Sequence, residues 1–300
     1  MPDICFWHKC NNYCLFCSNP DGDWKEDKYD YLHLSQRLLS LQGKIKDITV
    51  TGGEPTIHPD FLRILAFLRR RLPQVSLILL SNGRRFFYPS FTKKCLEFDN
   101  ILNIAISLHG YNAQTHDRIT QVEGSFEQTI KGIKNILKYK SKNQGLELRI
   151  IITGFTASYV HKILRLIHTD FSGVKRVVLV FMEIEGKAEE GIKSAGITYK
   201  EWNNYWPRLG SIIKDFREIR FYHFPLCTIE PKLWKHMWRT LPESEIAFPP
   251  RCKICWCRGY CLGVHKGYLK RMGNSEFLPP RRLTLKGSDN PCHPIIDARD

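Results

Sequence analysis

Three hundred residues, 43% hydrophobic and 25% charged, suit one large α/β domain plus a small extension and exclude a disordered chain. Lys and Arg outnumber Asp and Glu by 45 to 30. The resulting charge of +15 keeps a nucleic-acid partner under consideration beside a merely basic surface, although no motif interleaving aromatic and basic residues supports it.

The chain opens with Ile4 to Trp7 as a predicted strand. Asp3 and Lys9 leave no charged-then-apolar signal peptide, and runs such as Leu77-Ile78-Leu79-Leu80 fall far short of the roughly 20 residues of a membrane span. A cytoplasmic protein without a membrane partner is therefore expected. In such a compartment eleven cysteines point to thiolate chemistry rather than disulfides. Cys5, Cys10, Cys14 and Cys17 cluster early, five more lie between Cys227 and Cys261, and Cys95 and Cys292 stand apart, which suggests two metal sites.

Directly after the first strand, Cys10-Asn11-Asn12-Tyr13-Cys14-Leu15-Phe16-Cys17 has the spacing C-x3-C-x2-C. Soft thiolates so close in sequence can hold three corners of one iron-sulfur cube and leave the fourth iron open. A zinc site completed by His8 or a remote residue is the alternative. Asp47 to Thr51 is the second strand, and Thr51-Gly52-Gly53-Glu54-Pro55 follows it. The two glycines permit close backbone approach to a ligand and the carboxylate can pair with an ammonium, or the segment is a plain turn.

Val75 to Ser81, Asn103 to His109, Leu146 to Thr153 and Val174 to Met182 are further predicted strands. Tyr31 to Gln42, Asp60 to Arg71, Pro89 to Phe98, Ser125 to Lys140 and Ser158 to His168 carry apolar residues at helical spacing, such as Ile130, Ile133, Ile136 and Leu137. The alternation demands a parallel sheet, and six units make a partial (β/α)6 TIM-type barrel, open on one side, with its chemistry at the carboxyl ends of the strands. Residues 1–184 form this domain. From residue 185 the alternation stops: Glu185 to Gly196 reads as a linker or exposed loop, followed by an aromatic helix (Trp202, Tyr205, Trp206, Leu209, Ile213) and a short strand at Ile219 to Tyr222. Residues 185–300 end in a small cysteine-rich C-terminal extension. There Cys252-Lys253-Ile254-Cys255-Trp256-Cys257-Arg258-Gly259-Tyr260-Cys261 contains C-x2-C-x5-C, with Cys227 upstream as a fourth ligand. Four thiolates close a 4Fe-4S cube or a zinc ribbon. Cys257 falls between the ligands as a replacement for one of them, a hydrogen donor or inert packing, and inert packing is the reading preferred.

The combination resembles the radical S-adenosylmethionine superfamily. Its C-x3-C-x-aromatic-C loop matches Cys10, Cys14, Phe16 and Cys17, its GGE motif matches Gly52, Gly53 and Glu54, and the run from Ser107 to Phe126 is similar to its common fourth loop. The resemblance spans about residues 3 to 183. It implies that Cys10, Cys14 and Cys17 bind a catalytic 4Fe-4S cluster whose open iron takes the amino and carboxylate groups of S-adenosylmethionine. It further implies that Gly52, Gly53, Glu54 and Pro55 contact the amino group, with the Glu54 carboxylate facing it. Ser81, Asn82, Ser107 and His109 at strand ends, Arg149 toward the cofactor carboxylate, and Val180 and Met182 against the adenine complete the cofactor site it implies; a strand-end brace for His109, an exposed strand charge for Arg149 and ordinary core for Val180 and Met182 are the other readings.

The C-terminal segment resembles the twitch or SPASM extensions of peptide-modifying radical enzymes, which implies a second 4Fe-4S cluster on Cys227, Cys252, Cys255 and Cys261. The run from Phe224 to Val264 is similar, more loosely, to maturases of the His-Xaa-Ser system. The function implied is reductive cleavage of S-adenosylmethionine to a 5′-deoxyadenosyl radical and hydrogen abstraction from a ribosomally made peptide or protein. Modification of tRNA or a nucleotide, and a non-catalytic iron-sulfur or zinc protein, are the other readings. An electron donor such as flavodoxin or ferredoxin is an expected partner. The cluster loop begins at residue 10, so no leader-binding domain is expected ahead of the barrel.

Overall fold

A computed structural model describes residues 2–18 and 26–299. They form two compact units: Met1–Cys14, Asp21–Arg149 and Lys162–Arg176 make the first, and Leu15–Pro20, Ile150–His161 and Val177–Asp300 the second. Among the described residues no helix is long and apolar enough to cross a membrane.

Strands β1 (Asp3–Trp7), β2 (Asp47–Gly52), β3 (Ser76–Ser81), β4 (Ile101–Ser107) and β5 (Gly145–Ile152) pair in parallel, each with the next, and all but residues 150–152 of β5 belong to the first unit. Parallel strands covered on both faces read as nearly continuous apolar runs. β4 shows it: Ile101, Asn103, Ile104, Ala105 and Ile106 are all buried. Crossing from strand to strand are α1 (Tyr31–Leu39), α2 (Phe61–Arg71), α3 (Pro89–Leu96), α4 (Ala113–Thr120), α5 (Ser125–Tyr139) and α6 (Val160–Asp170). α2 buries Phe61, Ile64, Leu65, Phe67 and Leu68, the stripe that its periodicity predicts.

The sequence did not predict α4, whose one buried aliphatic side chain is Ile119. Capping makes it instead: Asn112 Oδ1 accepts the Thr115 N–H at 2.9 Å, and Thr115 Oγ1 accepts the Asn112 N–H in return. Asp117 on α4 then accepts N–H and O–H groups from Gly124, Ser125 and Phe126, each at 2.7 Å, at the start of α5. The Ser107 to Phe126 run is therefore a chain of caps.

In the second unit, β6 (Arg176–Phe181), β7 (Ile219–Tyr222) and β8 (Met237–Trp238) pair in parallel. The α/β class is the one expected; among the described residues eight strands are parallel, the six predicted for the barrel, β7 where the short strand was expected, and β8, which was not predicted. β8 has only two residues, too few to carry a period. Glu185 to Gly196, expected as a loop, holds two one-turn helices, α7 (Lys187–Glu190) and α8 (Ile192–Ala195). The single aromatic helix expected from Trp202 to Ile213 is broken into α9 (Tyr199–Asn203) and two 3-10 turns, Trp206–Arg208 and Ile212–Asp215. Pro207 lacks the amide a continuing helix needs, and Gly210 disfavours one.

Candidate active site

The first unit gathers its polar groups at the carboxyl ends of β1 to β4. β2 ends on Gly52 and Gly53, whose amides are packed on the backbone that leads out of β1. Gly53 N–H donates to the Trp7 carbonyl at 2.7 Å, and Glu54 N–H to that of Lys9 at 2.9 Å. A Cβ at Gly52 would collide with the Trp7 carbonyl oxygen, one at Gly53 with those of His8 and Lys9, and Gly52 has a φ of +143° besides. The close approach predicted for these glycines is thus to the chain's own stem of the cysteine loop.

Glu54 turns inward and is 0% exposed. Its Oε1 accepts from Thr56 N–H at 3.1 Å, Thr56 Oγ1 at 2.5 Å and Ser81 Oγ at 2.9 Å, and its Oε2 accepts the Asn82 N–H at 2.6 Å. Burial pushes its pKa up, against the pull of these donors. The carboxylate expected to face the ammonium of S-adenosylmethionine thus has four donors within the chain and is closed to solvent. Pro55 is buried at the first position of the 3-10 turn Pro55–Ile57, which Glu54 caps.

Asn82 carries the link onward. Its Nδ2 donates to Asn11 Oδ1 at 2.7 Å and lies 3.9 Å from the Cys10 sulfur, which also receives the Asn12 N–H at 3.3 Å. Arg84 clamps the same loop: it donates to the Asn11 carbonyl, to Asn12 Oδ1 at 2.7 Å and, through Nε, to Gln128 Oε1 at 2.7 Å. Tyr13 N–H donates to the Thr120 carbonyl at 2.8 Å. Sequence reasoning missed Arg84, Asn11 and Asn12; the polar pair between the first two cysteines was the available signal.

The remaining expected residues divide. Ser81 joins the Glu54 network. Ser107 is half-buried at the end of β4 and in register with Arg149. Arg149 Nε lies 2.6 Å from Glu147 Oε1, and Glu147 also holds Arg176 at 3.0 Å. Burial alone would raise the Glu147 pKa, but the two guanidinium groups hold it low. In the second unit Val180 packs with Val178 and Tyr222, with Ile151 and Trp238 against them, and Met182 and Phe16 are buried. His8 packs against Trp7 and Tyr29 at ring distances of 5.0 and 5.2 Å.

His109 is buried, its ring stacked on His116 at 5.8 Å, and its N–H donates to His116 Nδ1 at 3.2 Å. Burial lowers the pKa of His109 to about 3, with the His116 ring beside it opposing a second proton, and that of His116 to about 4, with the Arg84 charge adding to the effect. Both fold as neutral rings, so their contribution to stability is complete above the ordinary value near 6.5 and is lost as pH falls from there toward 4 and 3. At pH 5 the loss is about 2 kcal/mol for each. His116→Asn, which keeps an acceptor, is expected to show a smaller drop in thermal midpoint between pH 7 and 5 than the wild type. Equal drops would contradict the buried neutral pair.

Five cysteines of the second unit, Cys227, Cys252, Cys255, Cys257 and Cys261, line one cavity walled by Leu226, Phe248, Val264 and Phe277. Tight turns deliver them: Leu226–Thr228, Pro250–Ile254 and Arg258–Tyr260 are 3-10 helices, the second begun by Pro249 and Pro250. The Cys261 sulfur accepts N–H groups from Leu226 at 3.5 Å and Gly263 at 3.4 Å. Burial, and then the neighbouring thiolates, push Cys227 up to about 12 and raise Cys252 and Cys261. Thiols that repel one another as anions suit a cationic metal cluster, which reverses that penalty.

Among the described residues no three His, Cys, Asp or Glu side chains converge closely enough to hold a single metal ion. An iron-sulfur cube spreads its thiolates over separate corners and needs no such convergence. The donor sets fit cubes chemically: soft sulfurs, with N–H groups directed at Cys10 and Cys261.

Residues 4–167 match the Radical SAM superfamily. A protein named as a probable GTP 3′,8-cyclase of Thermococcus kodakarensis is 27% identical over 140 residues, 46% of this chain and 44% of that protein. The chain thus spans under half the length of this curated relative. Among solved structures, Streptococcus suis SuiB bound to S-adenosylmethionine aligns with a TM-score of 0.56 and 14% identity over 73% of this chain and 49% of that one. SuiB has also been solved with its precursor peptide SuiA. The structure of anSMEcpe with AdoMet and the Kp18Cys peptide aligns with a TM-score of 0.54 and 16% identity, over 73% and 63%. These likenesses establish the fold as that of radical SAM enzymes.

Proposed function

The chain belongs to the radical SAM superfamily, and from that premise we propose that it is a peptide maturase, abstracting hydrogen from a ribosomally made peptide or protein to form a crosslink, an epimer or an oxidised side chain. Cys10, Cys14 and Cys17 would hold the catalytic 4Fe-4S cluster, with residues 1–184 as its domain, and a reduced cluster there would supply the electron for cleavage of S-adenosylmethionine to methionine and a 5′-deoxyadenosyl radical. The protein's part is orientation, electrostatics and exclusion of water. Asn12 and Asn82 support the charge on the Cys10 sulfur, Arg84 and Thr120 fix the loop that carries it, and the Gly52-Gly53 strand end braces its stem.

The observation that carries the reading toward peptides is the cavity lined by Cys227, Cys252, Cys255 and Cys261, which we read as an auxiliary 4Fe-4S site in residues 185–300. The peptides in two structural neighbours support the same substrate class. A nucleotide substrate is the second reading, favoured by the cyclase relative and the charge of +15.

Deuterium tracing separates them. Reconstituted enzyme with S-adenosylmethionine and dithionite is given, in turn, deuterated short peptides encoded beside its gene and deuterated GTP. Deuterium in 5′-deoxyadenosine from a peptide is the expected result. Deuterium arriving from GTP alone would overturn the peptide assignment.

A further inference from the structure

Five cysteines line the C-terminal cavity, whereas a cube has four corners to bind. The Cys255 and Cys257 sulfurs lie 3.5 Å apart, in van der Waals contact. Thiolates on two different irons of a cube point away from one another, so sulfurs in contact address the same corner. Cys227, Cys252 and Cys261 reach the cavity from separate turns. Cys261 is held further by the two backbone N–H groups directed at its sulfur. We infer that Cys255 and Cys257 are interchangeable ligands for one corner of the auxiliary cluster, an inference that rests on the auxiliary-cluster reading above.

The local structure is built for exchange. Trp256, between the two cysteines, is anchored by its Nε1–H to the Pro280 carbonyl at 2.9 Å, and its ring lies 6.2 Å from that of Trp234. Trp234 is itself fixed by its Nε1–H, which reaches the Leu226 and Ile229 carbonyls at 3.0 and 3.2 Å. With residue 256 as a fixed pivot, rotation about χ1 of either cysteine presents or withdraws its sulfur without moving the backbone. Cys257 is 1% exposed and Cys255 half-buried, so the two sulfurs wait at different depths on the same corner. The exchange balances: the incoming thiol gives up the proton that the outgoing thiolate takes, the iron keeps four sulfur ligands, and no electron moves. The preferred sequence reading of Cys257 as inert packing is thereby replaced.

The test is iron and sulfide per chain, with the reduced-cluster EPR spectrum, on anaerobically reconstituted protein. The wild type is expected to hold about eight irons on the four-per-cube rule. Cys255→Ala and Cys257→Ala should each keep about eight, the former with an altered auxiliary signal, whereas Cys227→Ala and the Cys255→Ala, Cys257→Ala double variant should keep about four. The four irons at the N-terminal cysteines report that a variant has folded. If alanine prevents folding, Cys255→Ser and Cys257→Ser give the same readout. A fall to about four irons in either single variant, with eight in the wild type, overturns the exchange and leaves the auxiliary cluster standing. A wild type with only about four irons, or with one zinc in place of the rest, overturns the auxiliary cluster and the exchange with it.

Discussion

Glu54→Gln is expected to lower the thermal midpoint by about 5 °C and to weaken retention of the N-terminal cluster, rather than to act on S-adenosylmethionine affinity alone. The wild-type carboxylate accepts four hydrogen bonds in a site closed to water. A glutamine amide can still accept at one oxygen, but its NH2 group then faces the Asn82 N–H, donor against donor. The buried Asn82 amide is left unsatisfied and the charge that strengthened every bond is gone, a cost of about 3 kcal/mol. With an unfolding entropy of about 2.1 cal/mol/K per residue over 300 residues, that gives the shift stated. The loss reaches the cysteine loop because Asn82 also holds Asn11 and approaches the Cys10 sulfur. Thermal unfolding of the anaerobic protein, with iron counted before and after mild heating, checks it. An unchanged midpoint and iron content with tenfold weaker cofactor binding would return the carboxylate to the role the motif alone suggests.

That difference shows where sequence reasoning stops. The motif marked Glu54, Ser81 and Asn82 as site residues, and the three do meet, yet as partners of one another. Which donors saturate a carboxylate depends on a side chain 27 and a backbone amide 28 residues away, and spacing along one segment does not encode that. Strand and helix positions were legible wherever a long period existed: β2 and α2 lie within one residue of expectation at each end. What escaped lacks a period. α4 rests on its capping box, β8 is two residues long, and the hairpin β9 (Thr284–Gly287) and β10 (Ile295–Arg299) buries little of either strand. The aromatic run after Trp202 misled because its buried side chains keep a helical spacing although Pro207 and Gly210 break the backbone.

The C-terminal cysteines contrast with the glutamate. Their clustering in sequence pointed to a shared site, and the five cysteines do line one cavity. The standing of Cys257 was not readable, because a C-x-C spacing places two thiols close together without saying whether they face the same way. Only the 3.5 Å contact with Cys255 and the anchored Trp256 between them give it a role to test.

The assignment of Cys10, Cys14 and Cys17 as ligands of the catalytic cluster has the largest expected effect of all, since no other residues of the chain are read as able to supply that electron. Replacing all three with alanine is expected to reduce iron from about eight to about four per chain, leaving the auxiliary site loaded. The effect on chemistry is complete rather than graded. Without those thiolates no cluster presents an open iron, and an auxiliary cube closed by four cysteines cannot replace it. The decisive measurement is 5′-deoxyadenosine released from S-adenosylmethionine under dithionite, by wild type and triple variant side by side. The wild type should form it and the variant should stay at the enzyme-free background; equal yields, or none from a wild type carrying its full iron, would contradict a radical SAM enzyme built on this loop.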